Sequence, residues 1–505
     1  MTDPADESSR LSDFAPHVLL TIPLVAFLWL YRFLPLQDYP DWLYQASLFS
    51  GLIAGHPLPG YSVRPLPVPN SAGTLVMGLL CLLFPAEVTG KIFLTITVLT
   101  FVAGSVYLVT ALDRGAPNPL SYMPFLFAPN IFLLSGYIDY ILSLGLLFVG
   151  VGYLIRTHRA AGRPNLPLLA ALSLLIYFSH LLSYLSWLIA LGAFLICEFD
   201  QVRAKRIALA VLPSFLMLAW YTLFRVMGHD VGLRVVLDRV LVRKTISGAK
   251  AFSLFVTTDL IPNGRGALKI LAVANLFSAA LVLLLGILWL RRLGAVWRRE
   301  RFLLVSCLAY AIAFALAPAW IGGEWWPGDR FLYPAAWIIF TSVGAQVGHE
   351  ASGAVKATVK WAILGLFAVQ MVYLNWFGQA VSRELVREYV HLQESETATV
   401  DQLCDSYRQR LANSPAYGEH GASAASAPST RPDEVRVPII QPQYHLPYYL
   451  WIERAEPALI FPTGLLQYGA GRGRENQAVS YESMLNFGRR SLCERPAQRR
   501  PVTNR

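Results

Sequence analysis

From residue 15 to residue 376 the chain is built of one apolar run after another, and most are about long enough to cross a bilayer, which takes roughly 20 helical residues. The runs fall near 15–34, 71–85, 90–112, 137–155, 166–179, 182–198, 206–228, 268–291, 302–318, 331–348 and 356–376. Inside lipid every backbone N–H and C=O must be paired within the protein, which leaves helices or a closed barrel. Uninterrupted runs of this length suit helices. The expected fold is an all-α polytopic membrane protein of about eleven transmembrane helices. Composition agrees: 55% of the 505 residues are hydrophobic and only 15% charged. The net charge of +10 then reports orientation and contact with membrane lipids, and nucleic acid is not an expected partner. No Cys-x-x-Cys pair or zinc spacing occurs. The first segment, Met1 to His17, is polar and acidic, and no small-residue cleavage site follows the first run, which reads as a retained signal anchor.

Positive charge orients the helices. Arg156/His158/Arg159/Arg163, Arg203/Lys205/Arg206, Arg291/Arg292/Arg298/Arg299/Arg301 and Lys356/Lys360 form the basic clusters. Short loops rich in Lys and Arg stay cytoplasmic. All four clusters lie inside if the N-terminus is inside and a further run, Leu120 to Leu134, does not cross. That run carries Pro124 and Pro129 and reads as a re-entrant or packed segment. The expected location is the inner membrane, multi-pass, with an extracytoplasmic tail. In the outer loop 229–266, Arg234, Arg239, Arg243, Lys244 and Lys250 alternate with Val235, Val236, Leu237, Val240 and Leu241, the pattern of an amphipathic surface helix. Its basic face would meet anionic headgroups or flank a phosphate-bearing lipid.

Composition shifts after the last run. Residues 1–376 form the expected transmembrane domain, and 377–505 a small outer C-terminal domain, α/β or irregular. A Gly-, Ala-, Ser- and Pro-rich linker lies near 418–431, and aromatic character returns between Val437 and Gly469. Cys81, Cys197 and Cys307 fall in apolar runs, while Cys404 and Cys493 are the two cysteines of the tail. An outside tail lies in an oxidising compartment, so these two are expected to pair.

The polar residues gather at one face of this layout. Asp38 and Asp41 follow the first crossing in Gln37-Asp38-Tyr39-Pro40-Asp41-Trp42. Pro40 suits the first turn of a helix that Asp38 would cap, with Asp41 in its first turn. Two readings stay open here: a capping acid and a dipole-complementing acid, or two acids fixed at a membrane surface for chemistry. His56, Tyr61 and Arg64 follow in the same outer loop. Asp139 opens the fourth crossing within Gly136-Tyr137-Ile138-Asp139-Tyr140, His180 lies between the fifth and sixth, and Glu324, Asp329 and Arg330 precede or begin the tenth. Ionisable residues at helix mouths are costly and point to function. A carboxylate can take a proton from a hydroxyl or hold a divalent cation through oxygen. Arg and His can balance charge on a departing phosphate. Neither a Gly-x-x-x-x-Gly-Lys-Ser/Thr phosphate loop nor a Gly-x-Ser-x-Gly elbow occurs.

On these residues the chain resembles the GT-C class of integral-membrane glycosyltransferases. Asp38 and Asp41 match the acidic position of that class in its first outer loop, and the helix after Pro40 matches its surface helix. The Gly136–Tyr140 turn, the His180 loop and Asp329-Arg330-Phe331-Leu332-Tyr333-Pro334 resemble features of its bacterial relatives. The acids stand as Asp-x-x-Asp, not as an adjacent pair, which leaves open which is the base. The resemblance covers about 1–376. It implies a polyprenyl-phosphate sugar as donor, a glycan, lipid or protein as acceptor, and usually inversion in one displacement. Some members use a divalent cation such as Mg2+ or Mn2+, for which Asp38 and Asp41 are the candidate ligands. The expected assignment is Asp38 or Asp41 as base, His180, Arg330 and Arg64 at the donor phosphate, and Asp139, Tyr61, Asp329, Glu324 and His56 in support. Two alternatives compete: a polytopic transporter or lipid flippase, with acids at mid-membrane depth, and a non-catalytic assembly scaffold, in which the acids are caps.

Overall fold

The structure is a computed structural model. It describes residues 4–57, 61–64, 67–113, 118–227, 301–318, 320–321, 324–325 and 327–394, with scattered positions in 235–297 and residues 449 and 466–468. These residues are mostly helical. The elements are α1 (Pro4–Leu30), α2 (Tyr39–Ile53), β1 (Tyr61–Val63), α3 (Ala72–Leu80), α4 (Ala86–Leu112), a 3-10 turn (Pro119–Tyr122), α5 (Met123–Phe127), α6 (Ile131–Leu134) and α7 (Ile138–Arg159). There follow α8 (Leu166–Ser179), α9 (Leu181–Cys197), α10 (Gln201–Met227), β2 (Val235–Val236), α11 (Arg301–Leu316), β3 (Trp320–Ile321), β4 (Glu324–Trp325), α12 (Asp329–Glu350), α13 (Gly353–Glu394) and β5 (Leu466–Tyr468).

The pair α4 and α7 sets the direction of the bundle. A side chain on Gly104 would strike the carbonyl of Gly145, and one on Gly145 the backbone of Thr100. Small residues let two backbones approach this closely where lipid supplies no hydrophobic drive for helix association. Further along, Gly152 abuts Tyr107, and Arg159 donates to the carbonyls of Ala111 and Leu112 at 2.8 and 2.9 Å. Residue numbers rise together on both helices, so α4 and α7 are parallel. The chain between them must therefore return the length of the bundle.

The proline-broken run makes that return, which corrects the expectation that it does not cross. At its start the Ser121 hydroxyl meets Nε2 of His17, deep in α1, at 2.7 Å. At its end the N–H of Gln37, beyond the other end of α1, donates to the carbonyl of Leu134 at 2.9 Å. Asparagines pair the backbone groups that the breaks expose. Asn118 accepts from Leu120 N–H, and Asn130 accepts from Phe132 and Leu133 N–H while donating to Phe127 O. Broken helix is tolerated at membrane depth when protein satisfies it in this way.

The expected crossing at 71–85 is also corrected. Its helix, α3, has 9 residues, or about 14 Å of rise, against a hydrocarbon core of about 30 Å. The start of α3 and the start of the next helix both stay at the end that carries Asp38: Gly73 abuts Asp139, and Gly90 in α4 abuts Tyr39 and Leu43. The two corrections cancel in the alternation of direction, so the basic clusters still collect at the opposite end. There Arg159 joins the C-terminus of α4, Arg203 meets His158 at 3.1 Å, Arg301 and His158 each lie 3.5 Å from Glu198, and Lys360 sits over Tyr122.

By length and hydropathy four described helices can cross a membrane: Ala86–Leu112, Ile138–Arg159, Gln201–Leu223 and Gly353–Arg387. Shorter apolar helices at Phe14–Leu30, Leu166–Ser179, Leu181–Cys197 and Arg301–Leu316 pack among them. The count of about eleven full-length spans is thus not reached among the described residues. Large apolar side chains line the outside of the bundle, with Trp220, Ile196, Leu316 and Val372 each at least 60% exposed. Surfaces of this kind call for a lipid covering. The chain is a mostly helical, membrane-associated protein.

Val235 and Val236 form strand β2, paired with Ile321 and Trp320, where an amphipathic helix was expected; the basic residues of 229–266 lie outside the described residues. The linker at 418–431, Cys404 and Cys493 also lie outside them. From the tail, β5 pairs antiparallel with β1, Tyr468 opposite Tyr61, and Tyr449 packs edge-on against Phe33 at 4.7 Å. Helix α13 runs past residue 376 to Glu394.

Candidate functional site

The Gly136–Tyr140 turn between α6 and α7 organises the acidic end. Gly136 adopts φ +86°, a left-handed conformation that glycine takes without steric cost. Its Cα lies so close to the backbone of Asp38 that an added side chain would come within 2.5 Å of the Asp38 nitrogen. Around this contact Asp38 N–H donates to Ser135 O at 3.2 Å, and the Trp42 indole donates to Gly136 O at 3.1 Å. The loop before α2 is thereby clamped onto the start of α7.

Asp38 occupies the N-cap position of α2, with Pro40 in the first turn, as the sequence suggests, but its side chain makes no capping hydrogen bond. Its charged neighbour is Arg330. Burial pushes the Asp38 carboxyl up to about 7, against the opposing pull of that guanidinium. Arg330, 2% exposed on the first turn of α12, holds its guanidinium 4.5 Å above the Tyr137 ring. The carbonyl of the same residue accepts the Tyr140 hydroxyl at 2.6 Å. His180, buried at the α8–α9 joint, meets the Tyr140 ring edge-on at 5.1 Å. Residues of α2, α7, α9 and α12, distant in the chain, thus converge on one turn.

Asp139, on the same turn, contacts α3. It is 1% exposed, and its Oδ2 accepts the Gly73 N–H of α3 at 3.3 Å. Asp41, also buried, accepts Gln45 Nε2 on Oδ2 at 2.6 Å, one turn along α2. Tyr61 in β1 lies 3.3 Å from the Tyr44 hydroxyl, and Arg64 is half-buried just past β1. Asp329 opens α12 beside Arg330, while only the backbone of Glu324, in β4, is described. His56 is exposed beyond the far end of α2, about 22 Å of helix from Asp38. Sequence reasoning passed over Ser71, Gly73 and Thr74. Their signal was a run of small residues, Asn70 to Thr74, three of them polar, directly ahead of an apolar stretch.

Among the described residues no group of three or more His, Cys, Asp or Glu side chains converges as a metal site requires. A carboxyl titrating near neutrality beside a buried arginine can exchange a proton with a hydroxyl, and the arginine can hold an anion. Comparison with family models, with curated proteins and with solved structures returns no match.

Proposed function

We propose that the protein is a glycosyltransferase of the GT-C kind, moving a sugar from a polyprenyl-phosphate donor to an acceptor hydroxyl on a glycan, lipid or protein. The site would lie at the outer face of the inner membrane, since the basic clusters at the opposite end favour a cytoplasmic position there. The observation that carries the reading is the gathering of half-buried Asp38 and buried Arg330 at the Gly136–Tyr140 turn, at one end of a lipid-covered bundle, where burial pushes the Asp38 carboxyl up to about 7 against the pull of Arg330.

In the proposed step the acceptor oxygen bonds to the anomeric carbon while Asp38 takes its proton. The bond from that carbon to the phosphate oxygen breaks, and the polyprenyl phosphate leaves with the electron pair. A single displacement of this kind inverts the anomeric centre. Arg330 offsets the charge that grows on the phosphate, and general-base help is worth about 100- to 10,000-fold. Asp38 then releases its proton to water. The residues present fit a divalent cation poorly: Asp38 already faces a cationic side chain and Asp41 Oδ2 is taken by Gln45. No step is routed through a metal. The test is a screen of purified protein against polyprenyl-phosphate hexoses and pentoses, with and without EDTA. Transfer that survives EDTA supports the reading, and no transfer from any donor refutes it.

One observation favours a second reading, a lipid flippase or transporter. The asparagine-capped broken helices at 119–134 are of the sort that line substrate paths in transporters. Flipping of labelled lipid carriers in reconstituted vesicles, without transfer, would select it.

A further inference from the structure

We propose that Asp139, Ser71 and Thr74 form a hydroxyl-recognition subsite that reads the sugar carried by the lipid phosphate. The proposal rests on the transferase reading and names what its donor site selects. Asp139 Oδ1, Ser71 Oγ and Thr74 Oγ1 are all buried and, among the described residues, have no hydrogen-bond partner. Ser71 holds the N-cap position of α3 and yet makes no capping bond. Ser71 and Thr74 are three residues apart, so they share a face of that helix start. Asp139 meets the same first turn of α3 through its backbone: the Gly73 N–H donates to Oδ2, and a side chain on Gly73 would meet Oδ1 at 2.4 Å. Leaving several buried polar atoms unpaired is costly, and a ligand that pairs them recovers the cost.

The donor set selects the ligand. A carboxyl oxygen accepts, and two hydroxyls both donate and accept, which matches the alternating demands of neighbouring sugar hydroxyls. An anion is disfavoured by the acceptor lone pairs of Asp139. A cation is disfavoured by the Gly73 N–H and the positive end of the α3 dipole. The placement also fits. Gly136 touches Asp38, Tyr137 and Tyr140 hold Arg330, and Asp139 reaches α3, all within one short turn. Gly136 and Asp139 are at most about 11 Å apart along the chain. A sugar phosphate with its phosphate at Arg330 would direct its ring hydroxyls towards Asp139.

The test is equilibrium binding in detergent of two probes, polyprenyl-phosphate sugars from the panel and polyprenyl phosphate without sugar. It compares wild type, Asp139→Asn and the double variant Ser71→Ala/Thr74→Val. Asp139→Asn keeps an oxygen for the Gly73 N–H, so the contact between α3 and α7 is preserved. Wild type should prefer one sugar-bearing carrier over the bare carrier by about tenfold to a hundredfold, the worth of pairing one or two buried polar groups. Both variants should lose that preference and bind the bare carrier as wild type does. Unchanged preference in the variants, or equal loss of both probes, overturns the subsite. If wild type shows the preference but transfers no sugar, the transferase reading fails and the subsite stands. If wild type transfers sugar and the variants keep the preference, the subsite alone fails. Binding of neither probe overturns both.

Discussion

Gly136→Ala perturbs the site through a single contact, and Gly55→Ala provides its control. Both glycines have positive φ, +86° and +79°, so both substitutions meet the same backbone penalty of about 1–2 kcal/mol. They differ in what the new methyl touches. At Gly55 no atom of the described residues lies within 4 Å, whereas at Gly136 the methyl would sit 2.5 Å from the Asp38 nitrogen and 2.8 Å from its Cα. Carbon contacts settle near 3.5–4.0 Å, so Asp38 must retreat by about 1 Å. A misplacement of that size costs a reaction about 100-fold. Thermal unfolding in detergent and transfer turnover, measured on both variants, separate the two effects. Both should be destabilised, Gly136→Ala by about 1–3 kcal/mol more because of the clash, and Gly136→Ala alone should lose about two orders of magnitude in turnover. Full turnover in a folded Gly136→Ala protein, or an equal loss in Gly55→Ala, would refute the claim that this turn sets the position of Asp38.

Three further outcomes are expected. Replacing Arg330 by Gln removes the positive charge that opposes the burial of Asp38, so the low-pH limb of the rate profile should move above pH 7; a limb that stays put or moves down contradicts the pairing. Cysteines introduced at 54–56 and at 160–162 should be labelled from opposite sides of intact cells, the first set from outside; labelling of both sets from one side would break the topology. Cys404 and Cys493 should appear as one linked peptide pair in non-reducing mass mapping of protein extracted without reductant, and free alkylatable thiols at both would remove the bridge.

Hydropathy made the helices legible, because a span must be apolar wherever it meets lipid. It misled at two places. The run at 71–85 holds a helix too short to cross: one side packs on α2 and the start of α4 while Val76, Leu79, Leu82 and Leu83 stay exposed, and apolarity alone does not distinguish such a helix from a crossing. The run at 120–134 looks too broken to cross because Pro124 and Pro129 dominate its pattern. The side-chain caps from Asn118 and Asn130 that make the traverse affordable are visible only once their N–H partners are placed. At the site, single ionisable residues stood out in the sequence: Asp38, Asp139 and Arg330 are improbable in an apolar chain without a task. Their partners did not stand out. Tyr137, Tyr140, Ser71 and Gly73 are ordinary residues whose roles come from the 136–140 turn, which joins segments far apart in the chain.

The most direct measurement is the pH–rate profile of transfer by wild type, Asp38→Asn and Asp41→Asn. A base must be ionised to act. With the Asp38 carboxyl pushed up to about 7, the wild-type rate should climb about tenfold per pH unit below that value and level off above it. Asp38→Asn should lose about 100- to 10,000-fold and with it this limb, while Asp41→Asn, whose acid is held by Gln45, keeps the limb even if its rate is lower. An Asp38→Asn protein with near-normal turnover and an unchanged profile would contradict the assignment.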